Sequence, residues 1–236
     1  MTRQLQSTAP PWGMAAALGA IFAMLISLII GTVLADVLLG STPEAFMTGW
    51  AIGMVLTIFF VLFTRQNDQA ALRLGATRAR LPLVLLGMIG VAAALDLLSA
   101  IVTGNQTLAA AELLNFSRSE VNFFGWLVAF LFLVILQPIG EELVFRGMAY
   151  PALRAAAGRG LALVLCAGFH AMFHFIAYPP SPENRTILLW YGLVLPFLDA
   201  LIFTQVRAST GSTRAAIVAH AAFGLFALLK VFTFSG

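Results

Sequence analysis

The chain is a succession of apolar runs, each long enough to cross a bilayer as a single helix. A spanning helix takes roughly 20 mostly apolar residues. Seven such runs are legible, at about 13–39, 46–64, 81–103, 121–139 with a helical extension beyond, 161–178, 187–206 and 214–233. Backbone polar groups find no water in hydrocarbon, so only helices and closed barrels can span it, and unbroken runs of this length select helices. The composition agrees: 61% of residues are hydrophobic and 10% charged, against roughly 45–50% and 25% in soluble domains. The expected fold is an all-α, polytopic transmembrane helical bundle of seven or eight spans. It forms one integral membrane domain, with N-terminal helices over 1–119 and a C-terminal core over 120–236.

The net charge of +3 rests on arginine, with Lys230 the only lysine. This is loop charge that orients a membrane protein rather than a nucleic-acid patch. Arg65, Arg73, Arg78 and Arg80 fall between the second and third runs, Arg154 and Arg159 after the fourth, and Arg207 and Arg214 after the sixth. The alternate connections hold only Arg118 and Arg185, and Arg3 shares the side of the rich group. The positive-inside rule then puts the N-terminus in the cytoplasm; in a prokaryote the membrane is the inner one. The first run is too long for a signal-peptide core, so no cleavable leader is expected. Trp12, Trp50, Trp126 and Trp190 fall near span ends, as interfacial anchors do. Residues Thr107 to Asn115 could form a short surface helix, and the sequons at Asn105, Asn115 and Asn184 are read as chance occurrences. The single Cys166 allows no intrachain disulfide.

Against this background the polar residues inside the runs are few: Asp36, Asp96, Glu141, Glu142, Arg146, His170, His174, Asp199 and His220. All three histidines of the chain are among them. Ionisable groups inside membrane segments are rare and mark function by default. If helix continues from Glu141 and turns at Gly158-Arg159-Gly160, Glu141 lies roughly 25 Å before the turn and His174 roughly 21 Å beyond it. The two reach a similar depth, and His170 faces the level of Arg146 and Gly147. His220 enters the last run about 9 Å beyond Arg214. Glu142 and Arg146 have the i,i+4 order that favours an intrahelical pair, which leaves Glu141 as the freer carboxylate. Such a carboxylate suits general-base activation of water. Histidines beside it suit either metal binding or hydrogen bonding to an oxyanion.

Glu141-Glu142-x-x-x-Arg146, with Phe145 and Gly147 beside the arginine, resembles the EExxxR motif of the CPBP family. These are the CAAX-processing and bacteriocin-processing intramembrane proteases, including the Ras-converting CAAX endopeptidases. His174 matches the histidine of the family's FxxxH motif, with His170 at the aromatic position. His220 matches the histidine of HxxxN, with Gly224 at the asparagine position. The lead-in Thr210-Gly211-Ser212 is also similar, and the resemblance covers roughly 120–226.

The resemblance implies an intramembrane endopeptidase acting on a membrane-embedded or lipidated peptide. Glu141 would be the base, Glu142 and Arg146 a supporting pair, and His174 and His220 metal ligands or oxyanion donors. Its metal set would be Glu141, His174 and His220 around Zn2+ or another divalent ion. His170, Asp199 and Gly224 are secondary positions; His170 is read as a packing or helix-bridging residue and Asp199 as an interhelical hydrogen-bonding one. Two other classes compete: a non-catalytic immunity or chaperone-like membrane protein, favoured by His170 and Gly224, and a small proton-coupled transporter, which internal repeats would favour.

Overall fold

A computed structural model describes residues 9–75, 77–104, 113, 122–178 and 185–234. Arg3, Arg118, the stretch Thr107 to Asn115 apart from Leu113, and the three sequons lie outside the described residues. Within them the chain is helical, with six helices long and apolar enough to cross a membrane. They are α1 (Met14–Leu39), α2 (Pro43–Thr64), α3 (Leu81–Thr103), α4 (Phe123–Ala177), α5 (Arg185–Thr210) and α6 (Thr213–Phe234).

At 55 residues, α4 would run about 80 Å if straight, far beyond a bilayer's hydrocarbon thickness of about 30 Å. It is not straight. Gly158 has φ +76°, a left-handed conformation natural to glycine, and it breaks α4 where the sequence places the turn. The arms 123–157 and 159–177 fold back on each other, so that the Cys166 Sγ lies 3.4 Å from the Phe145 carbonyl. The broken helix therefore supplies two rods to the bundle, which accounts for the seven runs in the sequence.

α1 and α2 form a hairpin packed through small residues. Gly49 and Gly53, four apart on α2, meet Gly31 of α1 so closely that a Cβ on Gly53 would lie 2.7 Å from the Leu28 Cα. Small residues at four-residue spacing allow this approach in membranes. The Thr42 hydroxyl caps α2 by accepting from the Ala45 N–H at 3.1 Å, with Pro43 in its first turn. α2 thus begins three residues before its hydropathy does.

α3 is the least embedded helix, with 6% of its apolar window buried. Polar contacts hold it: Asp96 pairs with Lys230 of α6, and Ser99 accepts from the Trp190 indole of α5 at 2.9 Å.

Two of the tryptophans make contacts inside the bundle. Trp12 is buried and donates to the Met148 carbonyl at 3.1 Å. Trp50 sits edge-on to Tyr178 at 5.1 Å. Both rings are used to dock α1 and α2 on α4.

Candidate active site

The double glutamate lies between two π-helical stretches of α4, Leu131–Leu136 and Leu143–Ala149. In the first, the Gln137 N–H reaches back five residues to the Phe132 carbonyl; in the second, the Tyr150 N–H does the same to Phe145. Such widened turns are frequent at functional sites. Adjacent residues on a helix point about 100° apart, and the two carboxylates accordingly serve different partners.

Glu141 faces the second arm of α4. Its Oε2 lies 3.1 Å from His170 Nε2 and 3.2 Å from His174 Nε2. Its Oε1 accepts from Gln137 Nε2 at 3.1 Å and from the Tyr178 hydroxyl at 3.4 Å. The two imidazoles stack, with centroids 4.8 Å apart and planes inclined by 15°.

Glu142 faces α5 and α6. Its Oε1 meets Arg146 Nη1 at 2.9 Å and His220 Nδ1 at 3.0 Å. Arg146 is fully buried and fully engaged. Its Nε donates to Thr204 Oγ1 at 3.1 Å, and its Nη2 to the Ala200 carbonyl at 2.6 Å. Its Nη1 also lies 2.7 Å from His170 Nδ1. The guanidinium thus stitches both arms of α4 to α5.

That last contact fixes a tautomer. A guanidinium can only donate, so His170 Nδ1 accepts and the ring's proton sits on Nε2. His170 therefore hands an N–H to Glu141, which makes it more than a packing residue. The consequence for a metal is direct. Glu141, His170 and His174 bring ligand atoms within 4.8 Å of one another, and by distance they form a metal-capable group. A metal binds the lone pair of a neutral imidazole nitrogen, however, and on His170 Nε2 that pair is spent on the proton. His220 is held through Nδ1 by Glu142 and is not among the residues whose ligand atoms lie within 4.8 Å of one another. The group within reach of a single ion is Glu141, His170 and His174, where the sequence reading has His220 in place of His170, and with this His170 tautomer it offers two ready ligands where zinc sites use three or four. The residues do not fit a tightly held zinc ion.

A cavity of about 150 Å³ opens beside the cluster, lined by Gln137, His170, His174, Asp199 and His220 among others. Gly224 also lines it, and its lack of a side chain has a steric cause. A Cβ there would clash with the Leu133 carbonyl oxygen and lie 2.8 Å from its carbon. The π-helical turn releases that carbonyl, since the Gln137 N–H has gone to Phe132 and Pro138 has no N–H to give. An asparagine cannot enter where α6 rests directly on backbone. Among site residues, Gln137, Tyr178 and Thr204 went unrecognised in the sequence; of these, Gln137 carries a readable signal, an amide four residues before Glu141 on the same face.

Residues 123–226 match the family model described as type II CAAX prenyl endopeptidase, Rce1-like. Over this segment, less than half of the chain, the protein is similar to that family. The Rce1-like segment contains every site residue named above, from Gln137 to Gly224. No curated protein and no solved structure matches the chain.

Proposed function

We propose that the protein is an intramembrane endopeptidase that cleaves membrane-associated, lipidated peptides with water activated by Glu141. The observation that carries this reading is the environment of Glu141: a fully buried carboxylate held by four side-chain partners, three of which, Gln137, His170 and His174, line a cavity. A purely structural carboxylate needs partners but no adjoining space for a substrate.

In the proposed reaction, a water in the cavity gives a proton to Glu141 as its oxygen bonds to the peptide carbonyl carbon. As Glu141 takes the proton, the His174 N–H that faced its carboxylate turns to the tetrahedral oxyanion; His174 is 16% exposed while Glu141 is fully buried. Collapse breaks the C–N bond, and the proton held by Glu141 passes to the leaving nitrogen, so the carboxylate is restored. Glu142, Arg146 and His220 position the surrounding helices, and His170 orients the base. No step requires a metal. We place the catalytic core at 120–236, with the N-terminus and the arginine-rich connections in the cytoplasm.

The test is cleavage of a prenylated CAAX peptide by the purified protein in bilayer nanodiscs. General-base catalysis contributes about 10²–10⁴-fold, so Glu141→Gln should lower kcat by at least about 100-fold while the melting temperature stays close to wild type. Unchanged turnover in that variant defeats the proposal.

A further inference from the structure

A second concentration of charge, unused by the Glu–His cluster, lies at the arginine-rich end of the bundle. Arg207 of α5 is 7% exposed, and its Nε lies 3.2 Å from the Arg146 carbonyl and 3.1 Å from Thr213 Oγ1. Its two Nη groups meet no acceptor among the described residues. Arg73, Arg154 and Tyr150 are near enough to act electrostatically on Arg207. Neither Arg73 nor Arg154 has an ion pair among the described residues.

The hydroxyl of Tyr150 belongs to the same neighbourhood. Tyr150 lies one turn before Arg154 on α4, is 1% exposed, and its oxygen has no hydrogen-bond partner. Buried hydroxyls are costly to leave unpaired, and here the unpaired one sits beside unspent guanidinium donors. Arg73 is held at this end by its backbone: its carbonyl accepts from the Thr213 N–H at 3.1 Å. Three arginines and a buried hydroxyl thus gather at this end, and none of the three arginines has a carboxylate partner among the described residues.

Phosphate oxygens match this donor set, because guanidinium forks bind them bidentately. The depth matches as well. Arg207 is three residues from the end of α5 at Thr210, about 5 Å along the axis, and so near the end of a span, where headgroups are within reach. Basic pockets between transmembrane helices are a known form of headgroup site. We propose that Arg73, Arg154, Arg207 and Tyr150 form a phosphate-binding site for the headgroup of an anionic lipid. It stands apart from the peptidase reading and does not depend on it.

The test uses the full chain in detergent. Native mass spectrometry compares retention of phosphatidylglycerol with that of phosphatidylcholine of the same acyl chains, and calorimetry titrates inorganic phosphate. Arg73→Gln and Arg154→Gln remove side chains that have no bonding partner among the described residues, so both variants should fold. Each should weaken phosphatidylglycerol retention about five-fold. Tyr150→Phe should leave the lipid-free melting temperature unchanged or raised while weakening retention, a combination that loss of a structural hydroxyl would not produce.

Arginine-dependent preference for phosphatidylglycerol, with weak binding of phosphate alone, supports the lipid headgroup. Arginine-dependent binding of inorganic phosphate, without a lipid preference, supports the site but assigns it to a soluble phosphate-bearing ligand. Equal retention of the two lipids with no phosphate binding overturns the proposal. So does a phosphatidylglycerol preference that survives both arginine variants.

Discussion

Gly224 occupies the position where the family motif has asparagine, and two arguments about it predict opposite signs. Helix propensity alone says that Gly→Ala in a helix interior stabilises by about 1 kcal/mol. The packing says the reverse. A Cβ at Gly224 would overlap the Leu133 carbonyl oxygen and lie 2.8 Å from the carbonyl carbon, and backbone cannot swing aside as a long side chain can. Forcing extra carbon into a packed interface costs about 1–3 kcal/mol, and contact with backbone belongs at the upper end. Subtracting the propensity gain leaves Gly224→Ala about 2 kcal/mol less stable than wild type. For a chain of this size that is a fall in melting temperature of about 4–8 °C. Gly90→Ala is the control, because a Cβ there meets nothing within 4 Å and only the propensity gain applies. Thermal unfolding in nanodiscs, followed by circular dichroism, reads both. If Gly224→Ala melts at or above wild type, the close seating of α6 on the π-helical turn is wrong. Gly224→Asn, which restores the family residue, should likewise lose stability and gain no activity.

Three further outcomes follow from the site. Arg146→Met leaves Glu142 buried without its cation, and breaking a buried pair this way costs about 3–5 kcal/mol; the double variant with Glu142→Gln should recover part of the loss in a double-mutant cycle. His170→Phe, which restores the family's aromatic residue, removes one donor from Glu141 and should lower kcat about ten-fold with KM unchanged, a charge-assisted hydrogen bond being worth about 1.5–3 kcal/mol. Incubation with a chelator, followed by metal analysis of the protein, should leave peptide cleavage within about two-fold of its starting rate, since losing a required metal ligand sphere would cost far more.

Hydropathy made the bundle legible because lipid imposes length and apolarity on every span. Its resolution was limited at ends set by local chemistry instead: α2 starts at Pro43 because Thr42 caps it, a signal carried by three residues rather than twenty. Helix rise was enough to bring Glu141 to His174, since Gly158 marked the turn between them. The same arithmetic sent His170 to Arg146, and it does touch Arg146. That His170 also reaches Glu141 was hidden, because the π-helical stretch Leu143–Ala149, between Glu141 and the turn, takes extra residues into its turn and shifts the register that a uniform rise assumes. His220 met Glu142 rather than Glu141 for an angular reason that depth alone does not contain. Gly224 read as a missing part because sequence records which side chain is absent and not what fills the space.

The break at Gly158 has a consequence for how the site is assembled. Glu141 and His174 are 33 residues apart in the chain, whereas Glu142 and His220 are separated by 78. Loop-closure entropy grows with the logarithm of that separation, so the base and its two imidazoles form a local unit, closed by a single hairpin in one stretch of chain. His220 arrives from another helix altogether. A chain interrupted after α5 would still hold Glu141, His170 and His174 together, and α6 would be the piece that completes the site when it docks.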